Sequence, residues 1–271
     1  MAVCVIRHGE REDYACLARG VNWVALHADA RPWDPPLTPT GVRQGHALGA
    51  ALPPRLESLS LPPITRVVSS PLLRCVQTAA AAAAALGVPR LALEPGLAEA
   101  MLPQWYLSWG GPDADSTWGG AAACVDVDEG ALHPACHTPA GALHLSSEEA
   151  AAALRGGAVC VDEAYAPLEP AADCRWGEFE TEEAMGARLR RTVEALAERY
   201  KGESVLACTH GGPSGQAYRQ LLGETARKDL VAGYTALYIL VRGEDGQWVA
   251  PVAADQSHLR EDATPPRSAQ S

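Results

Sequence analysis

The stretch AVCVIRHGE, Ala2–Glu10, decides how the chain is read. Ala2 to Ile6 is short, apolar and β-branched, the signature of a strand buried on both faces rather than of an amphipathic edge. Arg7, His8 and Gly9 follow at its carboxyl end, where open α/β sheets gather their ligand sites. A second run has the same form: SVLAC, Ser204–Cys208, is followed by Thr209-His210-Gly211-Gly212. A third, TRVVS at Thr65–Ser69, is followed by Ser70-Pro71-Leu72-Leu73-Arg74.

Between these strands the spacing predicts helices. Thr40 reads as an N-cap for a helix to about Leu52, before Pro53-Pro54. Ser70 reads as the cap, with Pro71 at the first position, of a helix through the alanine block Ala79–Ala85 to Gly87. Alanine has the best helix propensity, so the block implies a closely packed helix. Glu180–Tyr200 places Met185, Leu189, Val193 and Leu196 at helical spacing. Pro213 opens a helix to about Leu222. Arg90–Leu93 reads as a further strand, and Tyr234–Arg242 with Gln247–Val252 as a closing β-hairpin. Arg11–Pro36 reads as a loop. Strand and helix alternate, so the expected fold is a three-layer α/β/α sandwich with a mostly parallel central sheet.

The expected organisation is one domain over residues 1–252, with an inserted, lid-like region at about 101–178 that carries one helix near Ser147–Leu154. A disordered tail is expected at 253–271. The 271 residues suffice for a sizeable core, with 47% hydrophobic and 20% charged residues. The net charge of −11 argues against a nucleic-acid or membrane footprint, since both favour clustered cations. MAVCVIRHGE has no signal-peptide pattern and no apolar run reaches about 20 residues, so a cytoplasmic chain with its eight cysteines reduced is expected. Oligomeric state is not legible here, and a homodimer is one option.

The chemistry lies at the strand ends. A neutral imidazole can attack phosphorus, and cations beside His8 would keep it neutral. Arg74, one turn into a helix, would add a planar fork to an anion-favouring helix N-terminus. His210 could stabilise developing charge. Taken singly, each has an ordinary structural explanation: a polar strand end, a surface arginine, a core histidine. Cys75 and Cys208 lack the glycine- and arginine-rich loop of a thiolate phosphatase and read as packing residues. Cys124, His133, Cys136 and His137, with Asp126 and Asp128, fit no standard zinc spacing. No metal or other cofactor is expected.

Together, Arg7–Glu10 (RHGE), Ser69–Ala79 (SSPLLRCVQTA) and Thr209–Gly212 (THGG) resemble, in order and placement, the histidine phosphatase (phosphoglycerate-mutase-like) superfamily. The stretches Arg7–Asp13, Asp34–Thr38, Leu73–Thr78 and Glu94–Glu99 are similar to the catalytic domain of the suppressor-of-T-cell-receptor-signalling phosphatases. The resemblance implies His8 as the phosphorylated nucleophile, with Arg7, Arg11 and Arg74 binding phosphate and His210 completing the pocket. It implies Glu99 as general acid and base, with Glu94 and Glu10 as nearby alternatives. Relatives carry an aromatic after this glutamate, where Ala100 stands here. The implied reaction is phosphomonoester hydrolysis, on aryl phosphates including phosphotyrosine in small molecules or proteins. Two alternatives are phosphoglycerate-mutase-type transfer and an idle phospho-ligand binder. Trp105, Tyr106, Trp109, Trp118 and Tyr165 could line a substrate cleft or simply pack.

Overall fold

The structure, a computed structural model, describes residues 1–27, 31, 33–99, 144–170, 180–243 and 245–259. Among the described residues, seven strands form one sheet in the order β4-β3-β2-β5-β1-β6-β7. These are β1 (Ala2–Arg7), β2 (Ile64–Ser69), β3 (Arg90–Leu93), β4 (Cys160–Val161), β5 (Ser204–Thr209), β6 (Leu237–Arg242) and β7 (Trp248–Asp255). The first five are mutually parallel, and β6 and β7 are antiparallel at one edge. The sheet is thus mostly parallel, as the strand–helix alternation predicted.

Strand alternation builds the two cores. Cys4 and Ile6 of β1 face one way, packing with Leu206, Cys208 and the helices α3 (Pro39–Ser58), α4 (Leu73–Leu86) and α5 (Ser147–Ala153). Val3 and Val5 face the other way, packing with Val205, Ala207 and the helices α6 (Glu182–Arg199) and α7 (Gly211–Leu222). Successive strand side chains point to opposite faces, so a strand covered on both sides must be apolar throughout. The alanine block of α4 lies against α3 so closely that a Cβ on Gly49 would stand 2.5 Å from the Ala82 carbonyl oxygen. Small residues on both helices permit that approach. Gly87, at φ 71°, ends α4 in the left-handed conformation glycine tolerates.

Several local expectations are corrected. Arg11–Pro36 is not a continuous loop, since it contains the short helices α1 (Glu12–Ala18) and α2 (Trp23–Leu26). The cap of α3 is Thr38, whose Oγ1 accepts from Gly41 N at 3.0 Å, and not Thr40. The same helix passes through Pro53-Pro54 to Ser58, because Leu56 continues the buried stripe of Leu48 and Leu52. Ser70 does not cap α4. That helix begins at Leu73, and its first N–H donates to Asp34 Oδ1 at 2.7 Å, a carboxylate 39 residues away in sequence. The 101–178 region is not wholly an insertion, because Cys160–Val161 joins the sheet beside β3. Its helix falls where expected, capped by a Ser146–Glu149 capping box. Order also continues beyond 252: β7 reaches Asp255, a 3-10 turn spans Ser257–Leu259, and Arg55 of α3 bonds both Asp255 and Ser257. The expected start of the tail at 253 therefore falls inside a strand. Among the described residues, no helix is long and apolar enough to cross a membrane.

Candidate active site

Strand register brings the two histidines together. β1 and β5 are parallel neighbours with Arg7 opposite Thr209, so His8 and His210 leave the sheet side by side. His8 N donates to Thr209 O at 2.9 Å, which extends the ladder to the site itself. The imidazole centroids are 5.4 Å apart in an edge-on arrangement, and both rings are buried, at 1% and 0% exposure.

The His8 ring is oriented by its own turn. Nδ1 lies 2.8 Å from the Gly9 carbonyl, which can only accept. Nδ1 therefore carries the proton and Nε2 keeps the lone pair. Gly9 N donates to Thr78 Oγ1 at 2.9 Å, tying this turn to α4. A Cβ on Gly9 would stand 2.5 Å from Gly41 O, so a side chain there would push the turn off the start of α3. Burial first, and then the positive fields of Arg74, Arg7 and Arg11, hold His8 well below the ordinary imidazole value of 6.5. Burial, Arg74 and His8 do the same to His210. Both rings are thus neutral at physiological pH.

Three arginines surround the pair. Arg7 Nη1 donates to Ala232 O at 2.7 Å, and its guanidinium lies 4.6 Å from the Tyr234 ring centroid. Arg7 Nε is buried without a hydrogen-bond partner among the described residues, and lies against Gly211 at the N-terminus of α7. A buried guanidinium N–H beside a helix N-terminus suits an anion. Arg11 makes a two-pronged pair with Asp13, both contacts 2.7 Å, and packs over Tyr14 at 4.7 Å. Arg74 is 1% exposed; its Nη1 is 3.3 Å from Trp33 O and 3.6 Å from Asp34 Oδ1, and its Nη2 is 3.7 Å from Glu99 Oε2. Arg11 and Arg74 are buried and Arg7 is half-buried; cations this close repel, and Asp13 and Asp34 offset part of that charge.

Among the three candidate carboxylates, Glu99 reaches the cleft: its Oε2 lies 3.4 Å from His210 Nδ1. Glu94 is consumed by structure, accepting from Gly96 N, Tyr165 OH, Leu168 N and Glu169 N. Glu10 accepts from Thr38 Oγ1 at 2.8 Å and so braces α3. Tyr165 is occupied with Glu94 rather than lining the cleft, and Trp105, Tyr106, Trp109 and Trp118 lie outside the described residues. Ala100 and the Cys124–His137 group also lie outside them. Among the described residues, no group of three or more potential ligands is placed to hold a metal.

Some participants escaped the sequence reading. Ser70 Oγ is 2.8 Å from His210 Nε2 and orients that ring rather than starting a helix. Asp34 looked like part of a proline turn, and Asp13 had no assigned part. The Arg-x-Asp spacing of Arg11 and Asp13 was a usable signal; Asp34 and Ser70 lay within the stretches that carry the family resemblance, Asp34–Thr38 and Ser69–Ala79, but had been read as a turn residue and a helix cap. Cys75 is fully buried, but it touches the site: its Sγ is 3.4 Å from His210 Nε2 and donates to Thr209 O at 3.3 Å.

The sheet, its flanking helices and a buried cationic cleft beyond the strand ends define an α/β protein of the phosphoglycerate-mutase type. The chain belongs to the histidine phosphatase superfamily (branch 1), which it matches over residues 3–108 and 161–255. No curated protein sequence matches it at a significant level. Among solved structures it is similar to the ecdysone phosphate phosphatase of Bombyx mori in complex with tungstate, at 21% identity and a TM-score of 0.59, covering 94% of this chain and 93% of that one. A phosphoserine phosphatase variant of Entamoeba histolytica with phosphoserine is similar at 16% identity and TM-score 0.53, covering 95% and 98%. The phosphoglycerate mutase of Bacillus anthracis is similar at 18% identity and TM-score 0.54, covering 96% and 95%. At these identities the likeness is one of fold.

Proposed function

We propose that this protein hydrolyses phosphomonoesters through a phosphohistidine at His8. The observation that carries the reading is the edge-on meeting of His8 and His210 within reach of three arginines and one carboxylate. Arg7, Arg11 and Arg74 hold the phosphoryl oxygens. His8 Nε2, unprotonated, attacks phosphorus as the ester P–O bond breaks. The Glu99 carboxyl gives its proton to the departing oxygen. Water then attacks the phosphohistidine, Glu99 takes a proton from it, and the P–N bond breaks to release inorganic phosphate. One carboxyl serves both steps because the second reverses the proton movement of the first. His210, neutral and oriented by Ser70 Oγ donating to its Nε2, carries its proton on Nδ1, on the Glu99 side, and gives that N–H to a phosphoryl oxygen as negative charge builds on it.

The substrate class we assign is aryl phosphates, phosphotyrosine included. Its support is the resemblance of the four motif stretches to phosphatases of that kind, together with Tyr14 and Tyr234 packed on Arg11 and Arg7. The arginines supply the positive charge, so the scheme has no step that requires a metal. The deciding experiment is turnover of p-nitrophenyl phosphate and phosphotyrosine by wild type and His8→Ala, with and without EDTA, and a rapid acid–base quench. Expected are release of inorganic phosphate by wild type alone, indifference to EDTA, and acid-labile phosphate trapped on residue 8. Label on another residue, or equal turnover by both proteins, overturns the reading.

A further inference from the structure

The short segment carrying Glu99 has no helix or strand to hold it beyond one 3-10 turn, Pro95–Leu97. Its three carbonyls just before Glu99 are nonetheless all engaged from outside. Arg188 Nη1, on α6, donates to Gly96 O at 2.8 Å and approaches Ala98 O at 3.3 Å. Thr209 Oγ1, on β5 next to His210, donates to Leu97 O at 2.5 Å. The remaining edge of the Arg188 guanidinium is turned to Glu180, with Nε 3.1 Å from Oε2 and Nη2 on Oε1. The plane of the fork is thereby fixed from its far side, at 11% exposure. Thr192 Oγ1, one turn further along α6, donates to Arg188 O. A Cβ on Gly96 would stand 2.2 Å from that same Thr192 oxygen, so the segment lies directly on the helix.

Arg188 has no described contact with His8, His210 or the three pocket arginines. It grips the backbone at the third residue and at the residue immediately before the carboxylate that approaches His210. We infer that Arg188 is a positioning residue for Glu99, holding the acid–base carboxyl in register with the leaving oxygen through the Gly96 and Ala98 carbonyls. The inference rests on the proposed role of Glu99 as proton donor. A guanidinium suits this position because it spans two carbonyls on one side while a carboxylate fixes the other, which an ammonium cannot do. Thr209 complements it by tying Leu97 to the strand that bears His210.

The test compares Arg188→Ala, Arg188→Lys and Glu99→Gln on a series of aryl and alkyl phosphates of graded leaving-group acidity. A displaced acid matters most where the departing oxygen needs its proton. For alkyl phosphates kcat/KM should fall in Arg188→Ala by on the order of a hundredfold, while for p-nitrophenyl phosphate it changes by no more than about threefold. The dependence on leaving-group acidity should steepen as in Glu99→Gln. Tungstate inhibition should stay near the wild-type value, since the phosphate pocket is untouched. Added guanidinium chloride, at non-denaturing millimolar concentration, should partly restore alkyl phosphate turnover in Arg188→Ala and leave wild type unaffected. Arg188→Lys, which keeps the charge, gives a folded variant with an intermediate slope. Steepening in Glu99→Gln but a uniform or absent loss in both Arg188 variants overturns the positioning role. An unaltered slope in Glu99→Gln overturns the acid assignment itself, and the positioning role with it.

Discussion

His8 and His210 are neutral because they are buried among cations, and that neutrality, which the proposed attack by His8 requires, comes at the expense of acid stability. In the unfolded chain both imidazoles titrate near 6.5, whereas in the folded protein both are held well below it. Above about pH 7 neither state binds these protons and the pair contributes no pH dependence. As pH falls below 6.5 the unfolded chain takes up protons that the folded chain resists, so stability is lost. The expected outcome is a Tm that is flat from about pH 8 to about pH 7 and falls from about pH 6.5 downward, with a shallower fall in His8→Asn. Differential scanning fluorimetry across that range checks it. An equal fall in wild type and variant would place the titrating group elsewhere. The same burial explains why Ser70 matters: a neutral ring whose Nε2 meets a hydroxyl and whose Nδ1 faces Glu99 has one orientation.

The site is assembled where helices start. Gly211 begins α7 beside Arg7, and Leu73 begins α4 immediately before Arg74. The α4 terminus is capped from afar by Asp34, whose carboxylate also sits near Arg74 and Arg31. Asp34→Ala should therefore act twice. Loss of the cap costs about 1–2 kcal/mol, read as a lower urea midpoint. Loss of the carboxylate beside Arg74 should also lower turnover, because the guanidinium loses one of the groups that align it. An unchanged urea midpoint would mean that water replaces the cap. Nothing in Asp-Pro-Pro-Leu-Thr distinguishes such a cap from an ordinary turn, because the helix it serves begins 39 residues later.

The carboxyl ends of β1, β5, β2 and β3 converge on the cleft, and both helical layers send residues into it or against it. Arg74 and Thr78 come from one layer and Gly211 from the other, while Arg188 acts on the Glu99 segment from the second. An anion bound there would touch the strand ends and groups from both helical layers at once. Inorganic phosphate or tungstate at about a hundred times its Kd should stabilise the fold by about 2.7 kcal/mol, seen as a rise in Tm, and the rise should shrink sharply in Arg74→Ala. No shift in wild type would count against an anion site. The net charge of −11 makes this a local effect: the arginines work within an otherwise acidic molecule.

Runs such as Ala2–Ile6 and Ser204–Cys208 carry their own meaning. A strand covered on both faces must be apolar at every position, so burial is written locally, and the polar residues that end each run mark the sheet edge where ligands bind. The paired histidines, Arg74 and the order of elements were therefore legible in the chain. Short helices such as α1 and α2 were not, because a few turns held by tertiary contacts need no strong local pattern. Nor was the passage of α3 through Pro53-Pro54, where burial of Leu56 outweighs the hydrogen bonds that two prolines forgo. What folding alone settled are the partnerships across distance: Asp34 with Leu73, Ser70 with His210, Arg188 with the carbonyls before Glu99. Polar side chains choose partners by where packing leaves them, and that is a property of the assembled layers rather than of any neighbouring residue.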